Sequence, residues 1–327
     1  MVRAMTYPMR SLPTYAIRWV CFCPLAMCLF VPLAAPRGVG AAEDNAAGPP
    51  RRVARQIATL NNKRINESSG LACSHRFRDL LYTHNDSGDR PRIYAISTGG
   101  ADEGTFELAK TAALDWEDMC SFQMGGKSYL LVGDIGDNFK LRPTVTLYLA
   151  EEPATKAARG NVQRIEDWKR LDVKLNGGAV DLEGLAVDAP GRTVLLATKE
   201  FWKNDAGARK HRCRIFFFAF PREIPKGPIT ARFLCDVSTP SMVTAMDVSS
   251  SGDRALLLTY RDLVEFVRRP TPIGDLEPWE DAFKRGGQVI TVARQAQPEA
   301  ACYGPDGRTI YITSEGVPTP LLKVDGE

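Results

Sequence analysis

The sequence predicts an all-β fold, a five-bladed β-propeller closed by an N-terminal strand, and three observations carry that prediction. Short phrases recur along the chain: Glu67-Ser68-Ser69-Gly70-Leu71, Asp115-Trp116-Glu117-Asp118-Met119, Asp181-Leu182-Glu183-Gly184-Leu185, Val243-Thr244-Ala245-Met246-Asp247 and Gln297-Pro298-Glu299-Ala300-Ala301. Aligning Ser69, Glu117, Glu183, Thr244 and Glu299 gives steps of 48, 66, 61 and 55 residues, a period that suits β-rich repeat units. The third observation is that the last unit runs out of chain one strand short. A six-bladed ring is the alternative, and it would need an unseen phrase in the 66-residue gap after Glu117.

Each phrase leads into a turn and a second apolar run: Leu80–Thr83, Leu130–Gly133, Leu195–Thr198, Leu256–Thr259 and Ile310–Thr313. Third and fourth strands are expected at Arg92–Ser97 and Thr105–Ala112, then at Val145–Ala150 and Val162–Leu175. The later units offer Cys213–Phe220 with Ile229–Val237, and Leu263–Val267 with Gln288–Ala293. The fifth offers only Leu321–Val324, so Val53–Leu60 is expected to pair with it and remove an exposed edge. Asp275–Arg285 reads as a helix, with Asp275 as N-cap and Gly286 at the C-terminus. Phe201–Arg212 reads as a loop.

Residues 1–42 differ from the rest: Arg3, Arg10 and Arg18 precede an apolar run, and no acid occurs before Glu43. This layout is a cleavable signal peptide, with a retained anchor as the alternative. The expected organisation is signal 1–42, flexible leader 43–52 and a single propeller domain 53–327, exported to the periplasm or outside the cell. Removing the four arginines of residues 1–42 leaves 38 basic against 39 acidic residues. The mature chain therefore offers no charge argument for nucleic acid or an anionic membrane, and it is expected to be a monomer. Of its five cysteines, Cys213 and Cys235 lie equidistant from a turn near residue 224 and are candidates for a cross-strand disulfide.

Antiparallel pairing sets the start of each first strand beside the end of the second. Glu117 should then lie near Asp134 and Asp137, Glu183 near Lys199 and Glu200, and Glu299 near Ser314 and Glu315. Ser69 should join His84, Asn85 and Asp86, and Thr244 should join Tyr260 and Arg261. Three glutamates around one axis repel one another unless protonated or bridged by a cation. Hard oxygen donors without His or Cys favour Ca²⁺, so Glu117, Glu183 and Glu299 are the expected ligands, with Asp86 or Asp134 in addition. The competing reading is that these acids only cap backbone amides at strand ends. His84 is the general-base candidate, and Lys199, Tyr260 and Arg261 are candidates for holding a substrate.

The phrases Asn66–Ala72, Thr83–Gly88, Asp115–Asp118, Gly133–Asn138, Thr244–Asp247, Thr259-Tyr260 and Ser314–Gly316 resemble those of exported bacterial propellers of the SdiA-regulated family. That resemblance implies five blades and bound calcium. Glu183-Gly184-Leu185 is more distantly similar to the metal phrases of calcium-dependent lactonase and phosphotriesterase propellers, which implies ligand roles at Glu183, Glu117 and Glu299. Fewer phrases than those six-bladed enzymes, and Thr244 in place of an acid, are departures from their pattern. The functions this leaves are a calcium-dependent hydrolase of an ester, lactone or phosphoester, a binding propeller with structural calcium and a small molecule or partner at the channel mouth, and a glycosidase with paired channel carboxylates.

Overall fold

The computed structural model describes residues 52–203, 209–292 and 297–326, all within one compact unit. The leading residues 1–51, with the expected signal, lie outside the described residues. After β1 (Val53–Thr59), strands β2 (Ser68–Cys73), β3 (Leu80–Asn85), β4 (Arg92–Ser97) and β5 (Asp102–Leu108) form one antiparallel run. A second run comprises β6 (Trp116–Met124), β7 (Lys127–Asp134) and β8 (Val145–Glu151). Here the sequence reading needs correction: Val162–Leu175 is two strands, β9 (Val162–Ile165) and β10 (Trp168–Leu175). Strand β10 completes the second run, whereas β9 pairs in parallel with β5 of the first.

The third run is β11 (Leu182–Asp188), β12 (Thr193–Thr198), β14 (Arg209–Ala219) and β15 (Ile229–Ser238), with β13 (Phe201–Lys203) against β14. The loop expected over Phe201–Arg212 is thus strand at both ends, and residues 204–208 lie outside the described residues. Strands β16 (Val243–Val248), β17 (Arg254–Thr259), β18 (Asp262–Val267) and β19 (Gln288–Val292) follow. The last run is β20 (Pro298–Tyr303), β21 (Ile310–Ser314) and β22 (Pro320–Val324). Strand β1 supplies its fourth member, pairing Arg55 with Lys323 and Gln56 with Leu322.

Parallel pairings between outer strands fuse these runs into sheets of eight, nine and five strands. The first strands form a ring: β2 lies against β6, β6 against β11, β11 against β16, β16 against β20, and β20 against β2. Packing on both faces leaves β2, β11, β16 and β20 wholly buried, while the outer β15 alternates between buried and exposed positions. The core is correspondingly divided, among the described residues, into five clusters, each between two successive runs. This is the architecture of a β-propeller.

Three local expectations are corrected. The helix, α1 (Trp279–Arg285), starts after Pro278 and has no side-chain cap, so Asp275 is not its N-cap. It is held from the side instead: Trp279 Nε1 donates to the buried Asp188 at 2.9 Å, and Phe283 packs on Phe266. Cys213 lies opposite Val237, and Ile215 opposite Cys235, with a bulge just beyond. The register is therefore slipped relative to a turn centred at 224, and both thiols are free. Arg52, assigned to the flexible leader, is buried and lies 2.6 Å from Glu265. Among the described residues no helix is long and apolar enough to cross a membrane.

Candidate functional site

All five aligned phrase positions turn out to be β-bulges. The register slips between Ser68 and Gly70, Trp116 and Asp118, Leu182 and Gly184, Val243 and Ala245, and Pro298 and Ala300. Ser69, Glu117, Glu183, Thr244 and Glu299 are the extra residues, freed from the ladder and re-aimed. The two hydroxyl copies tie neighbouring first strands together: Ser69 Oγ donates to the Glu117 carbonyl at 2.6 Å and Thr244 Oγ1 to the Pro298 carbonyl at 2.9 Å. The three glutamates are buried, and a side-chain hydrogen bond joins Glu117 to Glu183 across two neighbouring first strands.

The structure brings the carboxylates into two groups that touch, because a side-chain hydrogen bond links Glu117 of the first to Glu183 of the second. Asp86, Asp115 and Glu117 each offer an oxygen within 4.8 Å of the others. At that separation two full charges repel by about 3 kcal/mol at an effective dielectric of about 20. Burial first, then the charges of Glu183, Asp86 and Asp115, push the Glu117 carboxyl well above its ordinary value. Burial and Asp86 raise Asp115 to about 6. Gly136 makes the space, since a Cβ there would collide with Glu117 Oε1 and Asp115 Oδ2. A set of carboxylate oxygens in a side-chain-free cradle fits a hard cation such as Ca²⁺ better than Zn²⁺.

Glu183 and Glu299 form the second group, around Lys199. Lys199 Nζ lies 2.9 Å from Glu183 Oε1 and 5.2 Å from the centre of the Tyr260 ring. Burial raises Glu183 to about 7 although Lys199 pulls it down. Burial likewise raises Glu299 to about 8, opposed by Lys199 and a hydrogen bond from Tyr260. Burial disfavours the Lys199 charge, yet Glu183 and Tyr260 together more than offset it and hold the ammonium protonated. Two acids titrating near neutrality beside a fixed ammonium can exchange protons with a bound molecule.

Other expected residues sit elsewhere. Asp134 accepts from the Leu114 amide and pairs with Arg142 at 2.7 Å, so it braces the site's edge and lies outside the carboxylate cluster. His84 is wholly buried; its Nδ1 is 2.9 Å from the Asn85 carbonyl and its ring meets Trp116 edge-on. Gly70 leaves room for it, and burial lowers its pKa. Tyr260 joins Lys199, whereas Arg261 is exposed.

The sequence sets Asp115 and Glu117 on one strand face, but Asp115 was not among the expected ligands. Sequence reasoning also missed Asp118, wholly buried, which accepts from the amides of Met119, Leu185 and Met246 at 2.8, 2.8 and 3.0 Å. That carboxylate cross-links three runs beneath the cup.

No family model matches the chain, so the resemblance to SdiA-regulated propellers rests on its phrases alone, and no curated protein matches it. Among solved structures, a gluconolactonase from Xanthomonas campestris is similar at 12% identity and a TM-score of 0.44, over 89% of this chain and 99% of that one. The Pan2 WD40 domain of Neurospora crassa is similar at 9% identity and 0.42, over 85% and 96%. Raptor of Chaetomium thermophilum is similar at 12% and 0.41, over 85% of this chain and 30% of that one. Likenesses this distant say nothing of activity.

Proposed function

We propose that this chain is an exported five-bladed propeller that binds Ca²⁺ at the axis and hydrolyses an ester, lactone or phosphoester there. Signal 1–42 would be removed, and the propeller would begin at the buried Arg52 rather than after it. The observation that carries the reading is the adjacency of two unlike groups. Asp86, Asp115 and Glu117 supply hard donors, while Glu183 and Glu299, raised to about 7 and about 8, flank Lys199. Bound Ca²⁺ would supply polarisation of a carbonyl or phosphoryl oxygen. Glu299, largely protonated at neutral pH, would donate to the leaving oxygen, and Glu183 would accept a proton from water. Lys199 and the Tyr260 ring would orient the substrate's polar end.

Burial of His84 favours a second reading, a non-catalytic binding propeller with structural calcium, because the imidazole offered as a base does not reach solvent. One experiment separates the two. Chelator-treated protein is reloaded with Ca²⁺ or Mg²⁺ and assayed on aryl esters, lactones and phosphotriesters. Calcium-dependent turnover lost in Glu299→Gln supports the enzyme. Calcium that raises the melting temperature without turnover supports the binding propeller.

A further inference from the structure

Three large apolar side chains stand exposed beside the acidic cup: Leu114, Phe139 and Leu141, at 68%, 83% and 78% of their full accessibility. Leu114 immediately precedes Asp115 of the carboxylate cluster, and Phe139 and Leu141 follow Gly136, which packs on that cluster. Both segments are anchored to one carboxylate. Asp134 accepts from the Leu114 amide at 3.1 Å and from the Arg142 guanidinium at 2.7 Å, so Leu114 and the turn 137–142 flank the same side chain.

The turn is held firmly. Asp137 accepts from the amides of Leu141 and Arg142 at 2.8 and 2.7 Å, and its own amide donates to Asp181 at 2.9 Å. Lys140, within it, reaches Glu200, next to Lys199, at 3.8 Å. These bonds fix the backbone of the turn that carries the exposed Phe139 and Leu141. Exposed apolar side chains gathered at the edge of a polar cup mark a binding surface.

We infer that Leu114, Phe139 and Leu141 form an apolar rim that receives the hydrocarbon arm of the molecule whose polar head lies over the cup. This inference rests on the proposed ester or lactone site and deepens it to a substrate class, that of esters and lactones with an alkyl or aryl substituent. A membrane surface is the less suitable occupant, because Asp86 and Asp115 at the same edge would repel anionic headgroups.

The test uses the Ca²⁺-loaded full propeller and γ-butyrolactone, γ-hexalactone, γ-octalactone and γ-decalactone, with Kd by calorimetry and KM where turnover occurs. Affinity should rise about twofold per added methylene, roughly half the gain of full burial. Phe139→Ser and Leu141→Ser together should flatten that slope. Ile273→Ser, which alters a residue 85% exposed in another loop, should preserve it. Binding with the slope but without turnover keeps the rim and removes the hydrolase reading. Turnover without the slope keeps the hydrolase and overturns the rim. No lactone binding, or a slope that survives the double variant, also overturns it. Phe139-dependent retention on phosphatidylcholine vesicles with no lactone slope overturns it in favour of a membrane face.

Discussion

Lys199 Nζ sits 2.9 Å from Glu183 Oε1, and the pair is the electrostatic pivot of the axial cup. Lys199 lowers the pKa of both Glu183 and Glu299, so its removal should raise both. In Lys199→Met, Glu183 is left as a buried acid without its cation, and it must bind a proton to be tolerated. That proton is scarcer at pH 8 than at pH 6, so the variant should lose about 2 kcal/mol more stability at the higher pH. Urea unfolding at both values measures this, and equal losses would reject the pivot.

Calcium should act through Asp86, Asp115 and Glu117. Added at about a hundredfold over its Kd, it should stabilise chelator-treated protein by about 2.7 kcal/mol. Asp115→Asn and Glu117→Gln should lose most of that response, and Glu299→Gln should keep most of it. Gly136→Ala, whose new Cβ meets Glu117 Oε1 and Asp115 Oδ2, should weaken binding as well. A response lost equally in Glu299→Gln would restore the three-glutamate arrangement expected from the repeat.

Asp247, buried, accepts from the Tyr303 amide at 2.8 Å, and burial raises its pKa from 3.8 to about 7. A carboxyl raised on folding holds its proton more tightly in the native state. Its contribution to stability is complete below 3.8 and is lost as pH rises through about 7. Wild type should therefore lose stability more steeply than Asp247→Asn between pH 5 and pH 8. Parallel curves from chemical denaturation would show that Asp247 does not titrate there.

Arg52 fastens the start of β1 to the last two runs. Its guanidinium meets Glu265 at 2.6 Å and the carbonyls of Arg308 and Asp325 at 3.0 and 3.3 Å. Arg254 remains 3.3 Å from Glu265, so Arg52→Ala should cost about 2–3 kcal/mol rather than the full penalty of an orphaned charge. Hydrogen exchange should show protection lost first in Val53–Thr59 and Pro320–Val324. Loss spread evenly over all runs would contradict a local fastening.

The strands and their order were legible because hairpin pairing is local. Apolar runs such as Leu195–Thr198 and Ile310–Thr313 lie between turn residues, and both are strands in the structure. The missing final strand was legible for the same reason, since a run of three leaves an edge that β1 covers. The five aligned phrases fall on the five bulges, which the phrases did not by themselves announce.

What the amino-acid order determined by itself is therefore the repeat, its phase and the residues carried by each first strand. Only the tertiary structure decided which of them meet. Glu117 gathers with Asp86 and Asp115 and also meets Glu183, which Lys199 holds, whereas Asp134 is claimed by Arg142. Cys213 and Cys235 likewise fall out of register, with Cys213 opposite Val237 and Cys235 opposite Ile215. Pairing within a run follows from near neighbours in sequence, but distances across the axis depend on the packing of whole runs against one another. A slip of one residue or a single competing cation there redirects a side chain, and neither is written in any one phrase.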